Sequence, residues 1–255
     1  GEAIINFGDE EYVWAEALTS DEHMAVINKA GKYTLTGGNG YLFNYELEVN
    51  PDKEAGEYVF NIDNAYLTMS KLTLRDNVTA TISDSRLDHH YFNGSGYLSV
   101  YRDSDLTITD SVIGFNKEAT KVANPEDFDD KGDSRNRHWG FTFTVYGNAT
   151  VTNSDMYFYV GQGNQAGFDV LGDGKVALKN SNVDMAVLQI GTAYEDKKLS
   201  AAAREALANG EVVTATVTID GGTMENNQYR GDSVTRTGII LGTADGKNAG
   251  KLVIK

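Results

Sequence analysis

Apolar residues along the chain alternate with Thr, Ser, Lys and Asp in short runs, and the runs are broken at intervals by Asn, Asp or Gly followed by a small residue. The clearest copies are Ile82-Ser83-Asp84-Ser85-Arg86-Leu87, Ile108-Thr109-Asp110-Ser111-Val112-Ile113, Val151-Thr152-Asn153-Ser154-Asp155-Met156 and Leu178-Lys179-Asn180-Ser181-Asn182-Val183. Ile62-Asp63-Asn64-Ala65 and Ile219-Asp220-Gly221-Gly222 fit as well, and Leu35-Thr36-Gly37-Gly38 fits the first half. A period of two predicts strands with one buried face. A second strand precedes each motif across a polar turn, as in GYLSVYRDSDLTITDS from Gly96 to Ser111 and GFTFTVYGNATVTNS from Gly140 to Ser154. Helical periodicity is confined to two places. Asp21 to Ala30 has Ser20 as a candidate cap, and Ser200 could cap a helix that Gly210 ends.

The third position of the motif falls at 37, 64, 84, 110, 153, 180 and 221, giving steps of 27, 20, 26, 43, 27 and 41 residues. The two long steps each contain a segment of different character. Lys117 to His138 is polar, rich in Asp and aperiodic, which predicts a loop; Ala193 to Gly210 carries the candidate helix. Both are expected to protrude laterally, and without them each long step shrinks to about one ordinary repeat.

Short strands arriving at this spacing suit the coils of a parallel β-helix, with neighbouring rungs about 4.8 Å apart. The corner would then stack Asn64, Asp84, Asp110, Asn153 and Asn180. Asn and Asp tolerate left-handed φ and bond nearby backbone groups, while Gly37 and Gly221 adopt that φ for lack of a Cβ. In this arrangement Ile82, Ile108, Val151, Leu178 and Ile219 form one buried column. A β-sandwich also accommodates regularly spaced short strands.

The strings LTITDS, ATVTNS, VALKNS and TVTIDGG resemble the right-handed β-helix proteins of bacterial surfaces, particularly the passenger regions of autotransporter-type adhesins. The resemblance covers residues 35–255 and is architectural, since Asx-cornered repeats also occur in polysaccharide lyases and phage tailspikes. It implies an all-β, right-handed parallel β-helix of about seven irregular coils. Residues 1–34 are expected to form an N-terminal cap, and residues 117–138 and 193–210 the two insertions. Leu252-Val253-Ile254-Lys255 aligns with Leu106 to Thr109, so a fragment of a longer chain is expected. The absence of cysteine fits a passenger that crosses an outer membrane before folding.

Composition narrows the function classes. Without cysteine there is no thiol nucleophile, disulfide framework or Cys-ligated metal. A net charge of −15 opposes non-specific binding to nucleic acid or an anionic membrane. There is no apolar run of membrane-spanning length, no P-loop Lys-Ser/Thr pair beside Gly161-Gln162-Gly163, no G-x-S-x-G elbow and no H-E-x-x-H pattern. The paired-Asp, His-Gly and Arg-Lys strings of polygalacturonase-like enzymes are not recognisable.

Several constellations carry candidate chemistry. Stacked corners would bring the carboxylates of Asp84 and Asp110 to roughly 5 Å, the separation of paired-acid glycosidases, with His89 or His90 available for proton transfer. The competing reading is that both aspartates only make turn hydrogen bonds, like the Asn residues at equivalent corners. Asp127, Asp129, Asp130 and Asp133 loosely suggest a calcium loop, but Lys131 stands where a ligand is needed and His138 where Glu is expected. Arg137, His138 and Trp139 combine cations with an indole and suit a sugar or carboxylate contact, or Trp139 packs beneath its loop. In Met156-Tyr157-Phe158-Tyr159-Val160, strand alternation turns Tyr157 and Tyr159 away from the core, where they suit a glycan or protein partner or ordinary cross-strand packing. Tyr91, Tyr97, Tyr101 and Tyr146 could extend that aromatic surface.

These readings converge on a non-catalytic adhesin, binding or stalk segment, secreted or at a bacterial cell surface. Its partner would be a host or self-surface glycan or protein, with no cofactor and no membrane insertion. A β-helix enzyme cleaving polysaccharide or mucin-type glycan is the alternative, and a phage-fibre or other structural role stays open.

Overall fold

The computed structural model describes residues 1–9, 24–42, 46–69, 71–88, 96–115, 141–158, 167–185, 187–192, 196–225 and 238–255. Among them the alternating segments form strands, numbered in chain order, and every pairing is parallel. In the larger sheet, β1 (Glu2–Asn6), β3 (Gly31–Leu42), β5 (Tyr58–Thr68), β7 (Val78–Ser83) and β10 (Asp105–Thr109) lie side by side. It continues through β13 (Asn148–Thr152), β16 (Lys175–Met185), β18 (Val213–Glu225) and β20 (Asn248–Ile254), and β8 (Arg86–Asp88), β11 (Val112–Phe115) and β14 (Asp155–Phe158) form a second arm. The other sheet stacks β2 (Met24–Ile27), β4 (Glu46–Val49), β6 (Lys71–Leu74), β9 (Gly96–Val100), β12 (Phe141–Val145), β15 (Phe168–Val170), β17 (Val187–Ile190) and β19 (Gly238–Leu241).

The larger sheet closes on itself. β5 pairs with β7, which leads through β10 and β13 to β16, and β16 pairs with β14, which returns through β11 and β8 to β5. The result is a ring of eight parallel strands, barrel-like in its connectivity. It corrects the expectation of an open right-handed parallel β-helix or solenoid of about seven irregular coils. The physical reason lies at the corners. β5 and β16 continue through Asn64 and Asn180 without a break, so each serves both arms and joins them at either end. A repeated motif in the sequence cannot show which corners interrupt a strand and which are strand throughout. The resemblance to autotransporter-type adhesin passengers rested on the open stack and falls with it.

The N-terminal helix is also corrected. Met24–Ile27 is a strand whose Ala25 and Ile27 pack against the core beside Leu47 and Val49. Covering that sheet removes more apolar surface from water than an isolated short helix would. Glu2–Asn6 likewise pairs with β3.

The core lies between the two sheets. Ile82, Ile108, Val151, Leu178 and Ile219 are in register and buried, the column expected from the sequence. Opposite them the second sheet contributes Val49, Leu74, Val100, Val145, Val170 and Ile190. Phe143 stacks on Phe158 at 5.5 Å and on Phe168 at 5.2 Å, joining the second sheet to β14.

The corner is held by a ladder of buried serines. The Ser85 hydroxyl accepts from the Ala65 N–H, Ser111 from Ser85, Ser154 from Ser111 and Ser181 from Ser154, at 3.0 to 3.2 Å. Each hydroxyl also donates to the carbonyl two residues before it, at 2.6 to 2.9 Å. This geometry requires left-handed backbone just before each serine, and φ is 48° at Asp84, 49° at Asp110, 51° at Asn153 and 47° at Asn180. The ladder stops at Gly222, where a Cβ would stand 2.0 Å from the Ser181 carbonyl oxygen.

Helix α1 (Ala201–Ala208) is capped by Ser200, whose hydroxyl accepts from the Ala203 N–H and donates to Asp173. The segment is docked as well as inserted. Leu199 is buried with Ala203 and Val213, and Arg102 donates to its carbonyl at 3.3 Å. The segment 117–138 lies outside the described residues.

Ser111→Ala should cost about 1–3 kcal/mol in urea unfolding, because the buried Ser85 N–H loses its acceptor. Asp110→Asn should stay within about 0.5 kcal/mol, since Asn occupies equivalent corners, whereas Asp110→Val should cost about 1–3 kcal/mol through forced left-handed φ at a β-branched residue.

Candidate binding site

Past each corner the backbone re-enters a strand, so the residues two and four positions beyond it face outward. On β8 the equivalent positions are Arg86, half-buried, and Asp88, which is buried; on β14 the outward pair is Asp155 and Tyr157, on β16 Asn182 and Asp184, and on β18 Thr223 and Glu225. The last three strands bound a surface hollow of about 550 Å³, with Asp155, Tyr157, Asn182, Asp184, Thr223 and Glu225 on its walls.

The floor of this hollow is backed by the core. Met156 and Phe158 are buried on the opposite side of β14, and Phe158 stacks against Phe141 at 5.9 Å as well as Phe143. Tyr157 is therefore presented outward by a strand whose alternate residues are fixed in the core. Its neighbour β11 bulges at Gly114, where φ is 77° and a Cβ would fall 2.5 Å from the Tyr157 carbonyl oxygen. Only glycine permits that approach.

Polar contacts order one side of the hollow. Thr223 donates to Asn182 Oδ1 at 2.9 Å, and Asn182 Nδ2 donates to Asp155 Oδ1 at 2.8 Å. At the neighbouring end, Arg86 donates to both oxygens of Asp88 at 2.7 and 3.0 Å, Tyr66 donates to Asp88 Oδ2 at 2.9 Å, and the guanidinium lies 4.8 Å over the Tyr66 ring. Burial pushes the Tyr157 phenol above its ordinary range, and the Asp155 and Asp184 carboxylates push it further, against an opposing pull from Arg86. Tyr157 therefore stays a neutral hydrogen-bond donor and acceptor with an apolar ring face. The surrounding carboxylates accept hydrogen bonds and repel anions.

Asp84 and Asp110 sit exposed at left-handed corners. Asp84 donates its N–H to the Thr109 carbonyl, and Asp110 accepts from Asn153 Nδ2 at 3.3 Å. They occupy the turn positions that Asn64, Asn153 and Asn180 occupy elsewhere. His89, His90, Arg137, His138, Trp139, Tyr159, Tyr91, Asp127, Asp129, Asp130 and Asp133 lie outside the described residues. Of the other tyrosines expected to extend the surface, Tyr97 lies in β9, and Tyr101 and Tyr146 lie just beyond the ends of β9 and β12. Tyr97 donates to Glu46 at 2.8 Å with Lys71 over its ring, Tyr101 has Arg75 and Lys198 within 4.4 and 5.5 Å of its ring centre, and Tyr146 is buried beside Tyr101. Among the described residues no group of three or more His, Asp or Glu could hold a metal ion, and no helix is long and apolar enough to cross a membrane.

Sequence reasoning missed Asp155, Asn182, Asp184, Thr223 and Glu225 as a group. The signal was available: each stands two or four residues beyond a corner, so continuing the strand period past the corner aligns them with Tyr157. No family model, curated protein or solved structure matches the chain.

One further carboxylate is perturbed. Asp169, on β15, accepts from Gln189 Nε2 at 3.0 Å, but burial dominates and pushes its pKa up to about 6. With the folded value above the unfolded one, its contribution to stability is fully present below about pH 4 and is lost as pH rises through 6. Asp169→Asn, which keeps the acceptor, should raise stability at pH 7.5 by on the order of 2 kcal/mol and leave it nearly unchanged at pH 4, read by thermal unfolding across pH.

Proposed function

We propose that this chain is a non-catalytic binding segment, adhesin-like in role, acting outside the cell or at its surface and holding a glycan in the hollow around Tyr157. One observation carries the reading: an outward tyrosine, on a strand whose other face is buried in the core, borders a hollow of about 550 Å³ lined by Asp155, Asn182, Asp184, Thr223 and Glu225 together with Met156 and Val183. A ring face beside acceptors suits the alternating C–H and O–H surfaces of a sugar. The three carboxylates favour neutral or amine-bearing glycans and disfavour sialylated or uronate-rich ones.

The glycan-cleaving alternative depends on Asp84 and Asp110, and their placement supports a turn-forming role instead. A corner needs only an acceptor and a left-handed φ. Tyr157→Ala should weaken binding to neutral oligosaccharides about tenfold in calorimetric titrations, while Asp84→Asn leaves affinity and fold unchanged. Release of reducing ends or unsaturated sugars by the wild type, lost in Asp84→Asn or Asp110→Asn, would establish the enzyme and remove the binding reading.

A further inference from the structure

The wall that carries Tyr157 extends beyond the hollow. Each strand of this arm places one side chain in a single register column: Tyr66 on β5, Arg86 on β8, Val112 on β11, Asp155 on β14, Asn182 on β16 and Thr223 on β18. The residues next to them, Leu67, Leu87, Ile113, Met156 and Val183, are buried, so the column lies on the outer side. At about 4.8 Å per strand it runs about 24 Å across the strands. The hollow takes up only the stretch from Asp155 to Thr223. The part in question is interior to the sheet, because β8, β11, β14 and β16 each have a paired strand on either side.

The column is polar at both ends and apolar between them. In the hollow, hydrogen bonds join Thr223, Asn182 and Asp155. Two strand spacings away, about 10 Å, the Arg86 guanidinium is gripped by both oxygens of Asp88 and lies over the Tyr66 ring. The Arg86 side chain is 36% exposed and that of Asp88 only 6%, so the pair turns its donor side outward while its charges cancel. Such a pair suits a hydroxyl oxygen better than a carboxylate. Between the two polar ends stands Val112, half-buried and uncharged, which gives the C–H face of a sugar ring an apolar surface to lie on. The ends are close enough to sense each other, since Arg86 draws the Tyr157 phenol down against the pull of its carboxylate neighbours.

Resting on the glycan reading above, we infer that the ligand is a linear oligosaccharide chain lying across the strands, with one end in the Tyr157 hollow and a later ring hydrogen-bonded to Arg86. A single ring fills part of the hollow but does not span two strand spacings. Arg86 therefore sets a minimum chain length, and a lone terminal sugar is a poor ligand.

Calorimetric titration with two linear ladders, cello-oligosaccharides and glucosamine oligomers from disaccharide to hexamer, tests the idea. In the ladder that binds, affinity should rise about tenfold or more between disaccharide and hexamer. Arg86→Gln combined with Asp88→Asn removes the ion pair without leaving either charge buried alone, and should cancel that gain so that hexamer and disaccharide bind alike. Val112→Arg raises a long side chain between the two ends and should cancel it by obstruction. Circular dichroism separates a lost contact from a lost fold, and the wild-type length dependence stands whatever the variants do. Equal affinity at every length, with Tyr157→Ala still weakening binding, would overturn the chain ligand and leave the glycan site in place. A hexamer held by the folded variants as tightly as by the wild type would overturn it too. No binding of either ladder would remove the glycan reading itself, and this inference with it.

Discussion

A left-handed residue followed by a buried hydroxyl is the contact on which the rest of this architecture depends. Turning a strand through a corner exposes an N–H and a C=O that have no partner in an ordinary parallel ladder, and burying them unpaired costs about 1–3 kcal/mol each. Ser85, Ser111, Ser154 and Ser181 resolve both groups with one atom, donating within their own turn and accepting from the turn below. That fixes the distance between corners to the strand spacing. β5 and β16, whose corners lie within continuous strands, join the two arms of that ladder and close the ring.

The corner sets the site as well. With the bend held in register, the side chains two and four residues beyond it fall into columns, which is how Tyr157, Asp184 and Glu225 come to stand together from three distant parts of the chain. The phenylalanines on the inner side of β14 and on the second sheet hold that face in place through stacking contacts of 5.2 to 5.9 Å. The outward Tyr157 and the buried Met156 and Phe158 thus share one strand, divided by the direction of its alternate side chains.

Much of this was legible in the sequence, and the failures have physical causes. The period of two, the Asx corners and the column Ile82–Ile108–Val151–Leu178–Ile219 follow from local chemistry, because only certain residues accept left-handed φ and only apolar ones fill the interior. Ring closure was not legible, because it depends on whether Asn64 and Asn180 interrupt a strand or lie within it, and the same residue type serves both uses. Met24–Ile27 was misread because a short segment with ambiguous periodicity is decided by the surface it covers, here Leu47 and Val49. Tyr157 was found from strand alternation alone, while its acidic neighbours required the register of three strands to be known at once.

Asn248 is buried, and its side-chain amide donates to the carbonyls of Gly172 and Val213, both at 2.8 Å. Val213 is where the chain returns to the sheet after the excursion that contains α1, and Gly172 lies under Leu199 of that excursion. The return point is thus fastened twice, by a side chain from the following strand and by packing of Val213 against Leu199 and Ala203 of the excursion. Asn248 therefore ties three stretches of chain at one point, the strand it begins, the strand that the excursion re-enters and the turn beneath Leu199, so the docking of the excursion and the register of β18 with β20 stand or fall together.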